Sequence, residues 1–425
     1  MSGYVKKKLI SVRNEFATYS GRERSFLFYA LLCSFFICCE YSIIRPVSTS
    51  LFVQSYGARL FPYAWLAIVP FNFLLVSIYN RLIPKWGSKL LFICLIGIII
   101  GVNTLFAALF KVFPALNFLF FMWKEVYVML MFQLVWSVIH SNVRIGQAKY
   151  LYGMFFGVGG LGSILGSSFP GFFAVSYGSE NLIYLTLPVY LSLLFVYWKM
   201  SQYCSGDVPN PEREKEGGFL HGLKLIKSSR FLIFALLIVM FMQMTVAIVD
   251  FQFNDYLERT YPQMDVRTQY SGRVLGIMHT LTTALQFVGA YALIQWVGFR
   301  RSHYVVPGIL ALSASVVLFF PYFAVITIMF LTTKSLDFSV FGIVKEMLYV
   351  PLKPDQKFRA KAIIDVFAYR TSKGLASILI IGVTHYVSSH LLSWATITIG
   401  LLWIISVSFG FREYEKLTKP EQENA

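Results

Sequence analysis

Apolar runs of about twenty residues recur from end to end of this chain, each long enough to cross the roughly 30 Å hydrocarbon core of a bilayer as a helix. That recurrence fixes what the chain can fold into. No water reaches the hydrocarbon, so every backbone N–H and C=O there must be paired within its own segment or in a closed barrel. Twelve such spans fall near 25–44, 60–80, 89–110, 114–140, 147–175, 181–199, 230–254, 270–296, 302–319, 322–350, 359–386 and 391–410. The composition agrees: 57% of the 425 residues are apolar and 14% are charged, with a mean hydropathy of +0.63. A soluble domain carries about 25% charged residues. The reading is an all-α polytopic membrane protein.

The formal net charge of +16 invites a nucleic-acid partner, but its distribution points elsewhere. With both termini and the even-numbered loops in the cytoplasm, six of the 37 Lys and Arg face the opposite side: Arg45, Arg59, Lys111, Arg259, Arg267 and Arg273. Five more, Lys124, Lys334, Lys345, Arg370 and Lys373, lie within spans, which leaves 26 on the cytoplasmic side. Orientation of loops by basic residues explains this asymmetry, so it is mostly a topology signal. The expected location is the cell inner (plasma) membrane, multi-pass. The basic start and first apolar run carry Glu40 and no A-x-A-like cleavage site, so they read as a retained span rather than a signal peptide. The five cysteines have no metal-ligand spacing and read as small buried residues. No metal or cofactor is expected.

One long polar break, 200–229, is punctuated by Pro209, Pro211, Gly217 and Gly218 and divides six spans from six. It gives an N-terminal bundle 1–199, a cytoplasmic linker 200–229, a C-terminal bundle 230–411 and a polar tail 412–425. Residues Phe219–Arg230 have the pattern of a short surface helix. The halves are weakly alike. Leu82-Ile83-Pro84-Lys85-Trp86-Gly87-Ser88-Lys89 matches Leu293-Ile294-Gln295-Trp296-Val297-Gly298-Phe299-Arg300 at Leu, Ile, Gly and the final base. GLGSIL (Gly160–Leu165) likewise matches GLASIL (Gly374–Leu379). Repeated six-helix bundles of the major-facilitator type follow, with a substrate site near the midplane. Span 5 is rich in glycine (Gly153, Gly157, Gly159, Gly160, Gly162, Gly166), which suits either close helix packing or a gating segment.

No catalytic constellation is present: there is no H-E-x-x-H, G-x-S-x-G or Walker motif. Movement of a solute explains the chain better than a reaction. Ionisable residues at membrane depth are expensive and point to function. They are Arg45, Lys124, Glu125, Asp250, Lys334, Asp337, Lys345, Glu346, Asp365, Arg370 and Lys373. Lys334 and Asp337, three apart on one helix, have the spacing of a pair. The charges either pair to hold helices together or line an anion path, where Arg grips phosphate bidentately. Tyr127, Trp136 and Tyr369 flank these positions and are candidates to stack a base.

Residues 339–374, SVFGIVKEMLYVPLKPDQKFRAKAIIDVFAYRTSKG, resemble the signature of the ATP:ADP antiporters of plastids and intracellular bacteria. That signature is a K-E-M-x-Y-[IV]-P-L run, a short charged loop, then K-[AG]-K-A-x-I-D-V and a G-K or S-K. Lys345, Glu346, Met347, Tyr349, Pro351, Leu352, Lys361, Ala362, Ile364, Asp365, Val366 and Lys373 fit it. Trp123–Gly159 is similar to a second family block. The resemblance implies nucleotide exchange that depends on two lysines and two acidic residues in the membrane. Glu125 matches the acidic position of span 4, Asp250 stands where the family has Glu, and Lys373 matches the lysine of span 11. Arg45 of the family's span 1 run is kept, but its lysine position reads Ser48. The chain is also shorter than typical members.

The expected protein is a monomeric nucleotide transporter, bedded in lipid, working by alternating access through a basic cavity, with no nucleic-acid partner. Arg45, Glu125, Asp250, Lys345, Glu346, Asp365, Arg370 and Lys373 form its expected substrate site. Two other readings stay open. One is a carrier of another anionic metabolite or a nucleoside on the same scaffold. The other is a non-transporting membrane interaction protein, whose intramembrane charges would all pair.

Overall fold

The computed structural model describes residues 20–110, 112–142, 148–204, 225–286, 290–349, 352, 364 and 368–418. Its long elements are α1 (Gly21–Tyr56), α2 (Phe61–Leu109), α3 (Leu116–Asn142), α4 (Ala148–Tyr177), α5 (Thr186–Gln202), α6 (Arg230–Thr260), α7 (Met264–Ala284), α8 (Ala290–Val297), α9 (Phe299–Phe319), α10 (Phe323–Leu336), α11 (Gly342–Leu348), α12 (Tyr369–Thr384) and α13 (Leu392–Thr418). A π-helical turn, Asp337–Phe341, joins α10 to α11. Among the described residues, ten helices are long and apolar enough to cross a membrane. The two expected spans missing from that set are 270–296 and 359–386. In these, 287–289 of the first and 359–363 and 365–367 of the second lie outside the described residues; α7 and α8 cover most of the rest of the first and α12 most of the rest of the second. The first half of the expected surface helix 219–230, residues 219–224, also lies outside them, while 225–228 are helical.

Local chemistry sets the helix ends. Ser20 and Glu23 open α1 as a reciprocal capping box: the Glu23 amide donates to Ser20 Oγ (3.2 Å) and the Ser20 amide to Glu23 Oε2 (2.8 Å). Gly87 bends α2 at φ 69°, and Gly298 stands before α9 at φ 90°. Only glycine enters this left-handed region without a Cβ clash. These two glycines are the coincident ones of the internal repeat, so the sequence match carries a matching backbone turn. At the end of span 10 the helix stops at Leu348, before Pro351, as expected where proline disfavours helix at the preceding residue.

The chain forms two compact units. The first comprises Met1–Leu51, Phe71–Pro211 and Thr268–Gly276. Its core includes Ile37, Phe92, Ile96, Met131, Tyr190 and Tyr197, with the Phe92 and Tyr197 rings stacked at 3.8 Å. In it α4 lies directly on α1. A Cβ on Gly162 or Gly166 would overlap the backbone of Phe35 or Cys39, and one on Gly159 would crowd Cys38 and Ser34. These three glycines therefore do the close-packing job, as small residues do between membrane helices. Gly171 of α4 meets Gly272 of α7 in the same way.

The second unit comprises Phe52–Pro70, Glu212–Arg267 and Ile277–Ala425. Its hub is α6, which packs against α10, α12 and α13, while α9 packs against α10 and α13. Leu232, Met242, Val306, Leu310, Trp403 and Val407 fill its core.

Candidate functional site: buried charges in each unit

In the first unit a carboxylate sits at the centre of a buried hydrogen-bond chain. Glu40, fully buried midway along α1, accepts at Oε1 from the hydroxyls of Tyr127 (2.7 Å) and Tyr190 (2.6 Å). Asn103 donates to the Tyr190 oxygen (2.9 Å), and Trp123 Nε1 donates to Asn103 Oδ1 (3.1 Å). Every donor in this chain points toward Glu40. Its Oε2 is buried without a hydrogen-bond partner among the described residues. Tyr127, expected as a base-stacking candidate, is committed to this network. Trp136 packs edge-on against Phe155 at 5.2 Å.

Beside it, buried Lys124 pairs with Glu125 at 2.6 Å. The same ammonium lies 4.6 Å from the Phe121 ring centroid and 5.9 Å from that of Tyr41. The Arg45 guanidinium is also 5.9 Å from Tyr41. One tyrosine ring thus sits near two cations, a cation–π arrangement that holds positive charge without neutralising it. Ser48 is fully buried and donates to the Arg45 carbonyl one turn back at 3.1 Å.

In the second unit Lys334 does not take the neighbour expected from its spacing. Its Nζ reaches across to Asp250 Oδ2 of α6, at 2.9 Å. Asp337 instead accepts from Gln243 Nε2, also of α6, at 3.0 Å. The π-helical turn that begins at Asp337 changes the helical register there, and such turns gather at functional sites. Lys345 and Glu346 are 3.9 Å apart in α11. Arg370 and Lys373 occupy the first turns of α12. Lys373 lies 4.9 Å from the centroid of the Trp65 ring, and among the described residues no carboxylate is within ion-pairing distance of it. Tyr369 is exposed. Asp365 lies outside the described residues.

The expected site residues thus fall in two groups: Arg45 and Glu125 in the first unit, and Asp250, Lys345, Glu346, Arg370 and Lys373 in the second. Glu40 is not among the expected site residues; its one local signal is a carboxylate inside the apolar run FFICCEYSII. A further carboxylate, Asp255, accepts from Ser389 and pairs with Arg259 at 2.7 Å near the end of α6. Among the described residues no group of His, Cys, Asp and Glu could hold a metal ion, and Cys33, Cys38, Cys39, Cys94 and Cys204 are free thiols.

Solved structures share this fold across nearly the whole chain. A bacterial homologue of the iron transporter ferroportin superposes with a TM-score of 0.66 at 11% identity, covering 92% of this chain and 99% of that one. A mutant of the nucleoside transporter NupG gives 0.63 at 14%, covering 93% and 99%. A D-xylose–proton symporter gives 0.63 at 13%, covering 91% and 96%. Together with the apolar helices, this likeness defines a multi-pass membrane protein with a major-facilitator-like transporter fold.

The sequence profile of the TLC ATP/ADP transporter family matches residues 5–122 and 322–414. ADP,ATP carrier protein 1 of Chlamydia pneumoniae is 26% identical over 61% of this chain, which spans 58% of that carrier. ADP,ATP carrier protein 1 of Rickettsia prowazekii (strain Madrid E) is 20% identical over 95% of this chain and 96% of its own length. The chloroplastic ADP,ATP carrier protein 2 of Arabidopsis thaliana is 22% identical over 58% of this chain and 44% of its own length. The chain thus resembles the TLC ATP/ADP transporter family over 211 of its 425 residues and is 20–26% identical to these ADP,ATP carriers.

Proposed function

We propose that this protein moves nucleotides across a membrane by alternating access, with ATP and ADP as the leading substrates. In this reading it has twelve spans in two six-helix bundles, places both termini in the cytoplasm of a cell whose inner membrane it occupies, and works as a monomer. It needs no prosthetic group. Arg45, Arg370 and Lys373 bind the phosphates. Glu125 and Asp250 hold the ammonium groups of Lys124 and Lys334 while no substrate is bound, and release them when a phosphate takes their place. Lys345, Glu346 and Asp365 set the polar junction between spans 10 and 11.

The observation that carries this reading is Lys373, an in-span cation near an indole face and without a carboxylate among the described residues, in a chain that resembles a family named for ATP and ADP transport. A structural charge pair would supply its own anion. A cation left without one at membrane depth is costly unless a substrate supplies the charge. A second reading, a carrier for a less charged metabolite or a nucleoside, is favoured by Ser48. That residue removes a positive charge from the family pattern and spends its hydroxyl on its own helix.

Uptake of radiolabelled ATP into cells expressing the protein, with ATP, ADP, GTP, NAD, AMP and adenosine as competitors, separates the two. Inhibition that rises with phosphate number supports the nucleotide reading, whereas adenosine competing as well as ADP supports the second.

A further inference from the structure

The second unit carries a groove that the transport reading does not use. It has a volume of about 520 Å³ and runs between the start of α6 and the end of α13. Arg230, Ile233 and Phe234 line one wall, and Phe409, Arg412, Glu413 and Lys416 the other. Two chemistries meet in it. The floor is apolar: the Phe234 and Phe409 rings stack at 6.0 Å, and Phe409 is left 46% exposed. Gly410 is what lets the two helices approach there, since a Cβ on it would stand 3.2 Å from Phe234 Cβ. The rim is cationic. Lys416 is bound to Glu413 at 2.6 Å, which leaves Arg230 and Arg412 without an ion-pair partner among the described residues. Arg412 is held over the Phe409 ring at 5.3 Å. One acid against three bases gives the groove a net charge of +2.

We infer that this groove binds one anionic phospholipid, its phosphate between Arg230 and Arg412 and an acyl chain along Ile233, Phe234 and Phe409. The two arginines stand at the ends of apolar helices, where long basic side chains reach toward phosphate depth. The phenyl rings stand next to them on the span side, where acyl carbons begin. A soluble anion would use the rim and leave the exposed phenyl rings bare, whereas a phospholipid satisfies both. Basic grooves between membrane helices bind anionic headgroups by this combination of charge and apolar contact.

The test uses the full chain in lipid nanodiscs of phosphatidylcholine, alone or doped with phosphatidylglycerol, followed by native mass spectrometry for retained lipid and by thermal unfolding. The wild type is expected to retain one phosphatidylglycerol and to unfold at a higher temperature in the doped discs. The Arg230→Gln/Arg412→Gln variant removes two exposed charges and should fold normally in phosphatidylcholine. Its affinity for phosphatidylglycerol should fall on the order of thirtyfold, from about one surface-lysine-or-arginine equivalent of attraction per residue removed. The Lys85→Gln/Lys89→Gln variant, which removes the same charge from exposed positions outside the groove, should behave as wild type. Equal loss in both double variants would overturn the inference, because general membrane charge would then explain the binding. Equal stabilisation of the wild type by glycerol phosphate in pure phosphatidylcholine would also overturn it, by making the ligand a soluble anion.

Discussion

Lys334 Nζ lies 2.9 Å from Asp250 Oδ2, joining α10 to α6, although Asp337 stands only three residues away on the sequence of Lys334 itself. The ammonium is buried and the carboxylate partly so. Taking two charges out of water is costly, and removing one of them leaves the other unpaired. Asp250→Asn is therefore expected to destabilise the protein by about 3–5 kcal/mol, with Asp250→Leu/Lys334→Met recovering most of it. Thermal unfolding in detergent reads both. If Asp250→Asn unfolds like wild type, the pair is not a structural tie. In transport, Asp250→Asn is expected to impair net uptake more than exchange.

Lys373 differs from Lys334 in lacking a carboxylate among the described residues. Lys373→Gln is expected to abolish nucleotide uptake while shifting thermal stability by less than about 1 kcal/mol, since a cation–π contact of this kind is worth about that much. Lys373→Arg keeps the charge and should retain part of the activity. Full uptake by Lys373→Gln would remove the residue from the site.

Tyr127 and Tyr190 both donate to one oxygen of Glu40. Hydrogen bonds to a charged group contribute about 1.5–3 kcal/mol each, so Tyr127→Phe and Tyr190→Phe should each destabilise by that order. Because the two hydroxyls share one acceptor, each bond strengthens when the other is lost, so the double variant should lose more than the sum of the singles, a coupling of about 0.5–3 kcal/mol. Strict additivity would mean that the hydroxyls act independently.

Glycines of α4 that touch α1 contrast with glycines of α2 that meet no neighbouring atom. Gly162→Ala and Gly166→Ala push a methyl into the backbone of α1 and should destabilise by about 1–3 kcal/mol or more. Gly97→Ala and Gly101→Ala in α2 meet no atom within 4 Å and should be neutral or stabilising by up to about 1 kcal/mol. Expression level and unfolding temperature of the four single variants check this contrast.

What could be read in advance follows from the range of each interaction. Span positions depend on local hydropathy, so the apolar runs were visible in the chain, and so was the helix end before Pro351. The Gly87 and Gly298 turns were visible as a repeat, though not as left-handed residues. Partner choice depends on helix packing and was not visible. Spacing alone pairs Lys334 with Asp337, while the fold gives it Asp250, 84 residues away. Glu40 carries no other local sign of a site because its donors lie 87 and 150 residues further along the chain. The glycine stripe of span 5 admitted two uses, and only the position of α1 decides for packing at Gly159, Gly162 and Gly166.

The most direct test of the central claim is counter-exchange in proteoliposomes containing purified protein and loaded with ADP, read as entry of labelled ATP. The account predicts saturable uptake that needs internal ADP, is blocked by external ADP, and is insensitive to adenosine. Folded, correctly inserted protein that takes up no nucleotide, or that takes up adenosine in preference to ATP, would contradict it.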